Sequence, residues 1–145
     1  MRTPKIIGYV DDRGELHQGM IPVFVGRKIK SPYGADWMQI NQNFLREFAA
    51  RKDVGGEVLR VFLYLNARLE FENLIQVPQV EIADELGMHK QAVNRAIKQL
   101  EALGVIIRGP KVGRSSSWRL NPQAGWKGKV VHLREAQRQQ LEIVK

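Results

Sequence analysis

The chain has 145 residues, enough for one domain with a real core, and 43% of them are apolar. It contains no cysteine, which excludes a disulfide framework, a thiolate metal site and a thiol nucleophile. Its 23 Lys and Arg against 15 Asp and Glu leave a net charge of +8 and a pI near 10.0, a balance suited to a polyanionic partner.

Residues 1–32 read as a β-rich N-terminal extension. Lys5 to Val10 and Glu15 to Val25 carry β-formers, and Asp11-Asp12-Arg13-Gly14 between them is a turn sequence, so a hairpin is expected. The apolar run at Ile6 and Ile7 is too short for a secretory signal, and no stretch approaches the length of a membrane span. The expected location is therefore the cytoplasm, with no membrane partner.

Residues 33–122 read as the main domain. Asn41 can cap a helix whose buried face is Phe44, Leu45 and Phe48. A second helix follows Gly55-Gly56, with Val58, Leu59, Phe62, Leu63, Leu65 and Leu69 expected inward and Tyr64 expected in the core. Asn73 to Val77 reads as a short strand. Pro78 suits the first position of the next helix, in which Ile82, Ala83 and Leu86 share one face and Asp84-Glu85 face solvent. Gly87 stands where the chain must turn sharply. A longer helix, about 89–103, then buries Val93, Ala96, Ile97, Leu100 and Leu103 and ends at Gly104.

The opposite face of that longer helix carries Lys90, Gln91, Asn94, Arg95 and Lys98. Lys or Arg pairs with guanine edges and Asn or Gln with adenine, so Lys90, Gln91, Asn94 and Arg95 are the candidate base readers. Val105, Ile106 and Ile107 form a strand, Gly109, Pro110 and Gly113 turn the chain, and Ser115 to Leu120 return. Two helices joined at a tight turn and followed by a basic hairpin predict an α+β winged helix-turn-helix, with an N-terminal β-hairpin extension and a C-terminal tail over 123–145. Gln79, His89, Lys98, Lys111, Arg114, Ser115 and Arg119 are the candidate contacts to the DNA backbone. His89 is placed to cap or begin the recognition helix, and the three wing serines either solvate the turn or reach a phosphate. In the tail, Glu135 to Leu141 is helix-prone but only weakly amphipathic.

Charge agrees with this reading. Between Gly87 and Gly128 stand eight basic residues (Lys90, Arg95, Lys98, Arg108, Lys111, Arg114, Arg119 and Lys127) and one acidic residue, Glu101, so this segment holds +7 of the total +8. Catalytic signals are missing. His17, His89 and His132 lie on unrelated segments without metal-ligand spacing, no G-x-x-x-x-G-K-[ST] loop occurs, and Asp11-Asp12 fits a turn. No cofactor and no enzymatic activity are expected. Trp37, Trp118 and Trp126 are expected to pack rather than stack on bases, because duplex DNA hides its base faces.

The run RVFLYLNARLEFENLIQVPQVEIADELGMHKQAVNRAIKQLEALGVIIRGPKVGRSSSWRLNP, Arg60 to Pro122, resembles the RepL-type plasmid replication proteins, and so do the flanks GYVDDRGELHQG and NPQAGWKGK. The resemblance implies a replication initiator or maintenance protein that binds origin repeats, helps open A/T-rich DNA and engages host replication proteins. One departure is His89, where many recognition helices begin with Ser or Thr. The helix-turn-helix core also matches MarR-like and GntR-like repressors, so a transcriptional repressor, monomeric or homodimeric on its site, is the alternative. The chain leaves no separate effector domain, which makes a small-molecule sensor the weaker expectation.

Overall fold

The computed structural model describes residues 7–10, 12–19, 31–111, 113 and 116–143. It divides the chain into two compact units, 1–35 and 36–145. In the first, β1 (Ile7–Val10) and β2 (Leu16–Gly19) pair antiparallel, with Val10 opposite Leu16 and Ile7 opposite Gly19. This is the expected hairpin, turned at 12–14 with Gly14 at φ +82°. The rest of its expected second strand, 20–25, lies outside the described residues.

The second unit starts with β3 (Gln39–Ile40) and α1 (Gln42–Ala50). Asn41 caps α1 as expected. Its Oδ1 accepts from the N–H groups of Asn43 at 3.0 Å and Phe44 at 3.4 Å, two donors a helix start leaves unpaired. The Asn41 Nδ2 donates to Gln123 O at 3.0 Å and its backbone N–H to Ala124 O at 2.8 Å, so one residue both starts α1 and holds the chain that follows the wing. Phe44 and Phe48 stack at 5.5 Å, and Phe48 meets Phe62 at 4.9 Å, which joins α1 to α2 (Gly56–Ala67).

A single 3-10 turn over 71–73 leads into β4 (Leu74–Ile75), followed by α3 (Gln79–Leu86) and α4 (Lys90–Ala102). Then come β5 (Ile106–Arg108), β6 (Trp118–Leu120), β7 (Gly125–Trp126) and α5 (Val130–Ile143). Strands β4, β6 and β5 form one antiparallel sheet in that spatial order, and β7 pairs with β3 in a second, Gln39 opposite Trp126. Helices α2, α3 and α4 with one face of the three-stranded sheet enclose the core, in which Val61, Leu65, Ile75, Ile82, Val93, Ile97, Leu100 and Leu120 are almost completely buried. This is a winged helix-turn-helix of the α+β class.

Four expectations shift. Leu63, expected inward, is 66% exposed, and the position inside α2 belongs to Val61. The helix is apolar on more than its buried stripe, so periodicity alone could not decide between neighbouring positions. Pro78 precedes α3 as its N-cap residue rather than filling the first helical position. Tyr64 is only partly buried. Its hydroxyl accepts from Arg68 at 2.8 Å, and Arg68 also pairs with Glu81 of α3. Finally, the segment beyond the wing carries a strand and the 14-residue helix α5, and both belong to the second unit.

Asn73 ties this region together. It is 1% exposed, sits at φ +62°, donates from Nδ2 to Leu120 O at 3.0 Å and Gly125 O at 2.8 Å, and accepts from the Lys127 N–H at 2.8 Å. Asn tolerates this left-handed backbone better than other non-glycine residues, and here all three bonds link the start of β4 to the ends of β6 and β7.

Candidate nucleic-acid interface

The tight turn between α3 and α4 is fixed by Gly87 at φ +61°, where an L side chain is strained. The Met88 N–H closes back on Ala83 O at 3.0 Å, and Met88 packs on the core edge, as a Schellman-type helix end requires. From α2, the Arg60 guanidinium donates to Leu86 O at 2.7 Å and satisfies a carbonyl at the end of α3. The same closure recurs after α4, with Gly104 at φ +71° and the Val105 N–H on Leu100 O at 3.0 Å. The C-terminal ends of α3 and α4 are therefore both held by backbone geometry.

Along α4, Ala92, Val93, Ala96, Ile97 and Leu100 are buried. At about 100° per residue they cover an arc centred roughly opposite that of Lys90, Gln91, Asn94, Arg95 and Lys98. Burying the first set thus turns the second outward. Lys90, Gln91, Arg95 and Lys98 are exposed, and Asn94 is half-buried. The eight steps from Lys90 to Lys98 span about 12 Å of helix, which matches three to four base pairs at about 3.4 Å each.

The basic residues fall into two groups that composition cannot separate. Arg51 pairs with Asp53 at 2.7 Å, Arg60 caps α3, Arg68 holds Glu81 and Tyr64, and Arg108 reaches Glu101 at 3.5 Å. Among the described residues, Lys90, Arg95, Lys98 and Lys111 have no such partner, and neither do the side chains of Gln91 and Asn94. The outward face of α4 keeps its donors and acceptors unused by the fold. Glu101, the lone carboxylate of the basic segment, accepts the Trp118 indole N–H at 2.6 Å as well as the Arg108 contact. It locks α4 to the wing sheet, and its charge is partly neutralised there.

The wing base is closed tightly. Ser117 is buried, its Oγ donates to Pro110 O, and the Gly109 N–H donates to Ser117 O at 2.8 Å. A Cβ on Gly109 would stand 2.8 Å from Ser117 Oγ, so glycine is required by close approach. Ser117 therefore serves the fold rather than solvating the turn. Lys111 stands exposed on the wing, while Arg114 and Ser115 lie outside the described residues.

Gln79, half-buried, opens α3, and His89 is exposed at the N-cap position of α4. The His89 side chain makes no capping bond, so it begins the helix by position alone. Arg119 is placed apart from the cations of α4. It lies on β6 between buried Trp118 and buried Leu120, and strand alternation turns it to the sheet face away from those core residues, into a cavity under α5. That placement removes it from the recognition-helix face. Trp118 and Trp126 are buried, and Trp37 is 49% exposed. Arg108 stands on the first wing strand with its side chain mostly exposed. In the sequence, its place at the end of an apolar strand is the signal for that position.

Among the described residues, no group of three or more His, Asp or Glu is placed to hold a metal ion, and no helix is long and apolar enough to cross a membrane. The sequence model of the MarR family matches residues 53–115, which run from the start of α2 through the first part of the wing. No curated protein matches the chain. Fold, exposed basic helix face and family match together define a winged helix-turn-helix DNA-binding protein. What the matched segment is similar to is the MarR family.

Proposed function

We propose that this protein is a sequence-specific binder of double-stranded DNA that acts as a transcriptional regulator, occupying an operator as a repressor does. The observation that carries this is the outward face of α4, where the side chains of Lys90, Gln91, Asn94 and Arg95 have no partner among the described residues. In this reading α4 enters the major groove, about 12 Å wide, and its first turns read base edges. Arg95 and Lys90 address guanine, and Asn94 and Gln91 address adenine. Gln79, His89 and Lys98 flank the reading face and contact phosphates, while Lys111 holds the backbone from the wing, with Arg114 and Ser115 beside it in sequence. Two-fold operators would call for two copies of the chain.

A second reading is favoured by one observation, the resemblance of Arg60 to Pro122 and its flanks to RepL-type plasmid replication proteins. It uses the same reading face but adds origin opening and contacts with replication proteins. Selection of binding sites from a random duplex pool, followed by probing the recovered sites for unpaired bases, separates the two. A single recovered palindrome that stays paired supports the regulator. Recovered direct repeats that open adjacent A/T-rich DNA support the initiator. A pool that never converges sinks sequence-specific binding altogether.

A further inference from the structure

The outer face of the wing sheet carries a constellation that DNA binding does not use. A cavity of about 420 Å³ lies between that face and α5, within the roughly 300–1,000 Å³ range of small-ligand sites. Arg119 projects into it from the central strand and has no hydrogen bond or ion pair among the described residues. Gln140 Oε1, on α5, is buried there without a donor. His132 Nδ1 is likewise buried with no hydrogen bond. It stands 2.9 Å from a Glu72 carboxylate oxygen, so Glu72 is its neighbour across the lining. A buried polar atom normally finds a partner, and Gln140 Oε1 left without a donor, on the same cavity as the unpaired Arg119, marks a place for a molecule that supplies one.

The lining also limits what that molecule can be. Glu72 and Glu135 repel a plain anion, and Arg119 repels a plain cation. A species carrying both signs suits both. Ile107 of β5, Trp126 and Ala136 offer an apolar wall for its body. We propose that this cavity binds a small zwitterion with an apolar body, of the free α-amino acid class, its carboxylate on Arg119 and its ammonium on Glu135 and Gln140 Oε1. Because Ile107 and Arg119 stand on the two wing strands, an occupant would bear on the wing. That consequence, unlike the site itself, rests on the DNA-binding reading.

The test uses the full chain without DNA. The twenty free amino acids are titrated one at a time, each to millimolar concentration, while the indole N–H resonance of Trp126 is followed, assigned by Trp126→Phe. Acetate and methylammonium are the controls. The proposal expects a saturable shift of Trp126 with at least one amino acid, no shift with either control, and binding weakened about tenfold or more in Arg119→Gln, as loss of a charge-assisted pair implies. Glu135→Gln, on an exposed helix position, should weaken binding as well and serves should Arg119→Gln fail to fold. No saturable shift with any of the twenty overturns the site. An acetate shift equal to that of the amino acid, or binding indifferent to both substitutions, overturns the zwitterion. Either failure leaves the DNA reading untouched, since no DNA is present.

Discussion

Among single residues, Arg95 and Lys111 are given different work and should fail differently. Arg95→Ala should weaken binding to the selected site by about 1–3 kcal/mol and relax one base preference, measured by titration against matched and mismatched duplexes. Its folding stability should move by no more than about 0.5 kcal/mol, because its side chain has no intramolecular partner among the described residues. Lys111→Ala should instead weaken all sequences alike and reduce the slope of log affinity against log salt by about one. A mutant at Arg95 that lost affinity equally on specific and random DNA would remove it from the readers. Asn73 marks the limit of what residue types disclose. The sequence places it at the start of a short strand and shows nothing of its bonds, yet it is 1% exposed and holds three strand ends. Asn73→Ala should lower unfolding stability by roughly 2–3 kcal/mol in a denaturant titration, since it strands buried backbone groups.

For the helices, the legible part of the fold was set by periodicity and punctuation. The stripe of Val93, Ala96, Ile97 and Leu100, the glycines at 87 and 104 and the Asn41 cap all appear where local rules put them. Those features act over one or two turns, so a sequence displays them. The misreadings arose where distant contacts decide. Leu63 and Val61 are equally apolar, and only the packing of α2 against the core chooses between them. By residue type Arg119 is one more cation of the wing, and only strand alternation shows that it faces α5. The β3–β7 pairing, two residues from each strand and 87 positions apart at Gln39 and Trp126, carries almost no local signal. A matched pair of substitutions tests this account of α2 and α4. Ile97→Asp, at a position 1% exposed, should abolish the cooperative unfolding transition, because it buries an unpaired charge. Leu63→Asp, by the same chemical change on an exposed position, should alter stability by about 0.5 kcal/mol or less. Equal damage from both would mean that α2 is rotated from its described orientation.

Taken whole, the second unit separates two jobs. One face of the wing sheet, with α2 and α3, supports α4 and keeps its basic side outward. The other face shares a cavity with α5. Salt sensitivity should follow from the first job: the exposed basic residues of α4 and the wing predict affinity that falls steeply as ionic strength rises. The basic segment already pointed in the sequence to a polyanion, but it could not show which cations the fold consumes. Arg51, Arg60, Arg68 and Arg108 are engaged within the protein, and Lys90, Arg95, Lys98 and Lys111 remain available. The central claim is that this available set reads sequence. Footprinting of the protein on its own gene and flanking DNA, in excess random competitor, tests it most directly. Sequence reading by these side chains should leave discrete protected sites that survive the competitor and fade with Arg95→Ala. Uniform coating that the competitor removes, or no protection at any concentration, would contradict it.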